Sequence, residues 1–295
     1  MTKFPHLAQR LFNTPIAILP DKAEMVMAAL ADRLGVAHLF RGEHAVALVP
    51  MAFDQEDESF EPAARIDAPP DRGYDVVAGV ALIEIAGTLT HRLGCIRPYS
   101  GQTGYDGIRL AFLSALGDPE VRAIALDINS PGGEVAGCFD LADTIRAARG
   151  LKPIWGILNE AAYSAAYALA SACDHITVPR TGGAGSVGVI VMHVDMSRAL
   201  EGSGVAVTLL TYGDRKADGN EFEPLAKAAR TRFQAEIDTM GELFVATVAR
   251  NRGIDAAAVR AQQAATFLGS AAVTAGLADA VMAPDQALAA LVETL

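Results

Sequence analysis

At 295 residues the chain is long enough to bury a full core, and its length implies one large domain with an appendage, or two domains. About half of it, 51%, is hydrophobic, as globular proteins are. The net charge of −11 argues against a nucleic-acid-binding surface, because phosphate contacts need clustered Lys and Arg.

Cys95, Cys138 and Cys173 are far apart and odd in number, and no C-x-x-C or Cys/His pattern frames a metal. They read as small buried apolar residues in a reducing compartment. The N-terminus has no apolar stretch of signal-peptide length. No window reaches the roughly 18–20 apolar residues of a membrane span. A cytoplasmic protein without a membrane anchor is expected.

In chain order, Ala23 to Leu34 has helical spacing. An acidic stretch, Asp54 to Pro62, and Pro69-Pro70 read as linker or exposed loop. A boundary near residue 72 divides an N-terminal region, 1–71, from a larger domain, 72–295. Val76 to Ile85 reads as one buried strand. The turn-rich loop from Arg97 to Gly107 precedes a helix over 108–116. Ala123 to Ile128 is a second buried strand, ending in Asn129-Ser-Pro-Gly-Gly. A helix is expected over 134–149, closed by Gly150.

A third strand, Ile154 to Leu158, leads through Asn159 to Ser164 and an alanine-rich helix. His175 to Val178 is a short strand, and Thr181 to Ile190 is a glycine-rich passage. A helix over 196–201 and a strand over 205–211 lead to the polar loop Tyr212 to Asn220. Pro224 opens a long helix to Arg250. Alternating strands and helices predict right-handed βαβ units in a mostly parallel α/β sheet. Functional loops in such sheets lie at the carboxyl ends of the strands. The loops around Ser130–Gly133 and Asn159–Ser164 should therefore share one face.

Ser164 falls where a helix begins, beside unpaired backbone N–H groups that favour a developing negative charge. An N-cap serine is the plain alternative. Ser130-Pro-Gly-Gly reads either as a tight turn or as an oxyanion hole, with Gly132 and Gly133 leaving backbone N–H groups approachable. A serine nucleophile needs a base. None of the six histidines lies in a turn with an acidic orienter, and His175 and His193 read as structural. Lys216 is the better base, since a desolvated lysine loses its proton where arginine does not. Its alternative is a solvated loop charge. Gly185-Ser-Val-Gly-Val, with Gly185 and Gly188, reads as a bend or as an edge for an extended peptide, with Ser186 free to bond the lysine amine. No nucleotide-binding glycine motif is present.

Taken together, these residues resemble the signal peptide peptidase A family of Ser–Lys proteases, in particular its phage prohead-protease branch. The segments that carry the resemblance are Arg97–Ile108, Ser130–Gly137, Tyr163-Ser-Ala, Gly185–Val189, Lys216–Asn220 and Ala275–Asp279, in order over some two hundred residues. The resemblance implies a crotonase-like, Clp-protease-like fold of stacked βαβ units. It also implies Ser164 as nucleophile, Lys216 as general base, Ser186 as the residue orienting the lysine, and Gly132 and Gly133 as the oxyanion hole. No metal or cofactor is implied. Peptide or protein substrates, such as capsid scaffold or portal proteins, are expected. So is a homo-oligomeric ring with sites completed between subunits.

The chain shows no scaffold-like extension after its protease region, which is compatible with a separate protease whose scaffold is encoded elsewhere. Asp214 and Asp218 lie close to Lys216 in sequence and would silence it by pairing. The competing readings are a general cytoplasmic protease like the signal peptide peptidases, an acyl-CoA enzyme of crotonase type, and a capsid structural component with vestigial catalytic residues.

Overall fold

The computed structural model describes residues 71–295, together with Phe12, residues 14–20, 22–23, 38–41 and 44–47. The helix expected from Ala23 onward, the acidic stretch and Pro69-Pro70 lie outside the described residues, apart from Ala23 itself. Strand β1 is Ile16–Ile18. Strands β2 (His38–Arg41) and β3 (His44–Ala47) form an antiparallel pair.

The stretch expected as one strand is a hairpin. Strand β4 (Asp75–Val77) turns at Ala78-Gly79, both at positive φ, into β5 (Val80–Ala86). Two central residues at positive φ suit the tight hairpin turn, and the Val-Val-Ala-Gly-Val run hides that turn in an apolar pattern. β4 is exposed and β5 is mostly buried. Strands β6 (Thr88–Thr90) and β7 (Gln102–Gly104) and helix α1 (Tyr105–Gly117) follow.

Strand β8 is Ala123–Ser130, and β9 is Gly132–Glu134. Helix α2, Cys138–Ala147, begins later than the sequence suggested, because Gly132–Glu134 is spent on strand pairing and Gly137 takes a left-handed turn. Strand β10 is Ile154–Tyr163, and helix α3 is Ala165–Ser171. Then come β11 (His175–Val178), β12 (Gly183–Gly185) and α4 (Ser197–Gly202). Residues 205–211 join no strand ladder among the described residues, so the expected strand does not form. Helix α5 is Lys227–Arg252, and α6 is Ala256–Ala261. Strand β13 (Thr266–Leu268), α7 (Ser270–Thr274), β14 (Ala280–Val281) and α8 (Pro284–Glu293) complete the chain.

The main sheet runs β13-β12-β10-β8-β5-β4, with β11 beside β10 and β14 beside β11. β5, β8, β10, β11, β12 and β14 are parallel to their neighbours in this set, and β4 and β13 join antiparallel. The stacked βαβ units and mostly parallel α/β sheet of the expected crotonase-like fold are present. A smaller sheet, β1-β9-β6-β7, stands at the carboxyl ends of the main strands.

Two apolar layers sandwich the main sheet. On one face Val80, Ala123, Ala125 and Ile157 pack under Ala287 and Leu291 of α8. On the other, Ile83, Ile85, Ile124, Leu126 and Ile128 meet the faces of α1, α2, α3 and α5. Every residue of α3 is buried, which explains its alanines: small side chains let the helix sit deep among its neighbours. Arg149 closes the far end of α3, donating to the carbonyls of Ser171, Ala172 and Cys173. Cys138 and Cys173 are buried, as expected, Cys95 is only partly buried, and burial pushes the Cys138 thiol up to about 12. Among the described residues no helix is long and apolar enough to cross a membrane.

Candidate active site

Ser164 sits between β10 and α3 with φ 54° and ψ −122°. This conformation is strained for a residue with a side chain, and such strain persists only where the surroundings impose it. Three fixtures impose it here. The Ser164 N–H donates to the Gly185 carbonyl at 2.8 Å, its own carbonyl accepts from the Ala168 N–H at 3.0 Å, and α3 is packed on all sides. The hydroxyl caps no helical N–H, so the N-cap reading fails. It donates instead to the Gly188 carbonyl at 3.3 Å. Ser164 is 1% exposed.

The strand that carries Ser164 is longer than the sequence suggested. β10 runs through Asn159 to Tyr163, with an irregularity between Leu158 and Ala162 in its register on β8 and Glu160 at φ 80°. That bulge re-aims the last residues so that Ala162 pairs with Ser130. The two predicted loops do share one face.

Gly132 adjoins Ser164. It holds φ +102°, and a methyl group there would meet Ser164 Cβ and the Tyr163 carbonyl oxygen at 3.0 Å. Ser130 fixes the turn: its hydroxyl donates to the Gly87 carbonyl at 2.6 Å and accepts from the Gly132 N–H at 3.2 Å. The Gly132 N–H is thus committed to Ser130. Gly133 lies between β1 and β6, paired with Ala17 on one side and Leu89 on the other. A methyl at Gly133 would meet the Leu89 carbonyl oxygen at 1.9 Å, so this position admits only glycine.

Ser186 follows β12 at φ 55°, is 6% exposed, and donates its N–H to the Ala265 carbonyl at 2.9 Å. Gly185 has φ +113°, and a methyl added at Gly188 would meet Ala264 Cβ at 2.8 Å. Gln263 and Ala264 also have positive φ. The loop at 263–265 therefore backs the Ser186–Gly188 segment, and sequence reading missed it because Gln-Gln-Ala-Ala carries no turn residue. Ser130 as a latch was missed too, since its hydroxyl works on its own turn and leaves no pattern.

Ser164, Ser186, Gly132, Gly133, Gly185 and Gly188 are thus gathered at one end of the sheet. Lys216 is not joined to them. It lies exposed in a turn, its N–H on the Gly213 carbonyl at 3.1 Å, and its amine makes no hydrogen bond or ion pair with the described residues. Asp218 pairs with Arg232 and not with Lys216. His175 stacks on Trp155 with ring centroids 4.3 Å apart, at the opposite end of β10 from Ser164. At about 3.3 Å per strand residue that is roughly 30 Å away. His193 is partly buried, and burial lowers its pKa against the opposing pull of Asp195.

The arrangement can present a buried serine hydroxyl beside backbone donors. Residues 146–295 match peptidase family S49, a span that includes Ser164, Ser186 and Lys216 and begins after Gly133. The chain is 39% identical over 291 residues to the head-tail preconnector protein GP5 of Enterobacteria phage P21, covering 98% of this chain and 57% of that protein. It is 35% identical over 301 residues to the capsid assembly protease C of Escherichia phage lambda, covering 100% of this chain and 67% of that protein. The chain therefore spans between roughly half and two thirds of the length of these relatives. Among solved structures it is similar to the 1510-N membrane-bound stomatin-specific protease in complex with a substrate peptide. The identity is 15%, the coverage 71% of this chain and 78% of that one, and the TM-score 0.43. The family match over half the chain and the identity to the lambda protein lead to one conclusion: the chain belongs to peptidase family S49.

Proposed function

We propose that this chain is a serine endopeptidase in which Ser164 is the nucleophile and Lys216 the general base, and that it cleaves capsid or scaffold proteins during phage head assembly. The strained placement of a buried serine hydroxyl at a strand–helix junction, against Gly132 and Gly133, carries the reading. Neutral Lys216 takes the Ser164 proton, and the alkoxide attacks a peptide carbonyl. The oxyanion is held by the Gly133 N–H and by the Ala165 N–H, which begins α3 and has no intrahelical partner. An acyl-enzyme forms with loss of the amine, which takes the proton from Lys216, and water activated by the same lysine releases the acid.

A base lysine has to be desolvated. Lys216 is exposed in the isolated protomer, so the desolvation has to come from another surface. A neighbouring copy is the simplest source. The stretch that precedes Lys216 exposes Val205, Val207, Leu210 and Tyr212, the last two 93% and 101% exposed. Such a stretch is suited to burial between subunits. The proposal therefore includes a homo-oligomeric ring with sites shared between protomers, working in the host cytoplasm or inside the prohead.

The lambda relative is named for capsid assembly, which favours this substrate class over other peptides. Co-expression with the capsid and scaffold proteins of the same phage tests the function. The parent chain should shorten at least one of them and Ser164→Ala none. Equal processing by both would refute the proposal.

A further inference from the structure

The cleft beside Ser164 is not empty of backbone: the chain's own N-terminal segment runs through it. We infer that residues Pro15–Leu19 are an intramolecular occupant of the peptide-binding cleft, held as an extended substrate would be held, and that they must leave before a peptide can reach Ser164. The inference rests on the peptidase reading above and adds to it a built-in block and a class of peptide.

The backbone pairing carries it. β1 lies between two edges. On one side it is antiparallel to β9, with Ala17 opposite Gly133 and Ile18 opposite Gly132. On the other, Ile16 and Ile190 exchange two hydrogen bonds of 2.9 Å, each N–H to the other's carbonyl. Ile190 continues the Gly185–Val189 passage. Even-numbered residues thus bond toward Ile190, which leaves odd-numbered ones to bond toward β9.

The flanking bonds agree. The Leu19 N–H donates to the Pro131 carbonyl at 3.0 Å, and the Val135 N–H donates to the Pro15 carbonyl at 3.5 Å. Hydrogen-bonded pairs alternate along an antiparallel ladder, so Ala17 and Gly133 are the bonded pair between these two. The Gly133 N–H, the donor assigned to the oxyanion, therefore faces the Ala17 carbonyl. A methyl added at Gly132 would meet that carbonyl oxygen at 2.2 Å and Ser164 Cβ at 3.0 Å. The segment thus lies against the Gly132 turn that adjoins Ser164.

Its side chains are buried, but mostly outside the main core. Ile16 and Ile18 form a small cluster with Ala23, Ile190 and Met192, apart from the main core. Ala17 alone reaches the main core. Satellite clusters of this kind open without unfolding the domain. A peptide added to a strand edge gains affinity from its backbone and specificity from alternate side chains. The class the cleft accepts is therefore an extended segment with a small residue at the Gly133 position flanked by branched apolar ones, as in Ile16-Ala17-Ile18.

The test uses the full chain with Ile16→Asp, which sets a charge among Ile190 and Met192. Ile16→Ala is the milder form, used should the first lose its cooperative thermal transition. In a Ser164→Ala background, a fluorescein-labelled Thr-Pro-Ile-Ala-Ile-Leu peptide is titrated by anisotropy. A strand docked nine tenths of the time weakens apparent affinity about tenfold, so the variants should bind at least about tenfold more tightly than the parent. With Ser164 intact, fluorophosphonate should label the variants faster by a similar factor. Equal peptide affinity in parent and variants overturns the inference. Tighter binding with no labelling of any form upholds the occupied cleft and counts against the peptidase reading alone.

Discussion

Ser164 and Ser186 stand in matching postures at the ends of adjacent parallel strands. Each lies one residue beyond the paired Tyr163 and Gly185, their φ values are 54° and 55°, and the Ser164 N–H donates to the Gly185 carbonyl at 2.8 Å. The two turns are thus held by one peptide group, and the two hydroxyls are set by the same sheet register. A register slip in either strand would displace both.

If Ser186 orients the lysine amine, Ser186→Ala should lower kcat by about 10²-fold, the lower end of what positioned acid–base groups contribute, while KM stays within about twofold. The check is steady-state kinetics on a fluorogenic peptide. A change confined to KM would make Ser186 a substrate contact instead.

How far the sequence went is clearest at these two serines. The Ser164 junction, the Gly132–Gly133 pair and the Gly185–Gly188 passage were legible because each follows a buried apolar run and carries residues that turns require. The positive φ of Ser164 was not legible, since it is imposed by Gly185 and α3 and not by local preference. The β4–β5 turn was hidden because Ala78 and Gly79 sit in an unbroken apolar run. The apolar pattern of Val205–Thr211 predicts a strand, but among the described residues it joins no sheet edge. β1 carries no sequence signal because three apolar residues show no period, and its position is set by pairing with β9 and Ile190.

Asp279, the last residue of the Ala275–Asp279 motif, is a structural clamp. It accepts from Arg252 at 2.7 and 3.0 Å and from the Ile176 N–H at 2.7 Å. Burial raises its pKa, but these bonds outweigh burial and hold the carboxyl below its ordinary range. A depressed native pKa gives stability that is fully present above the unfolded-state value and is lost as pH falls through the native one. Asp279→Asn strands Arg252, whose side chain is 8% exposed. It should cost about 3 kcal/mol near neutrality, and the loss should shrink as pH drops below about 4. Urea unfolding at a series of pH values measures both.

A site completed between subunits has a separate signature. Ser164→Ala and Lys216→Ala chains should each be inactive, and mixing them by denaturation and renaturation should restore activity. In a random one-to-one ring whose sites each draw on two neighbouring chains, about a quarter of the sites receive both intact residues. Recovery near that fraction supports the shared site. No recovery, with mixed rings verified by native mass spectrometry, places Lys216 beside the serine of its own chain.

The central claim is that Ser164 is an activated nucleophile dependent on Lys216. Mass spectrometry of the assembled protein after fluorophosphonate treatment tests it most directly, with Lys216→Ala alongside. One adduct on Ser164 in the parent, reduced at least about 10²-fold in rate in Lys216→Ala, is the expected result. An adduct that forms equally fast without Lys216, or none on Ser164 in the assembled parent, would contradict it.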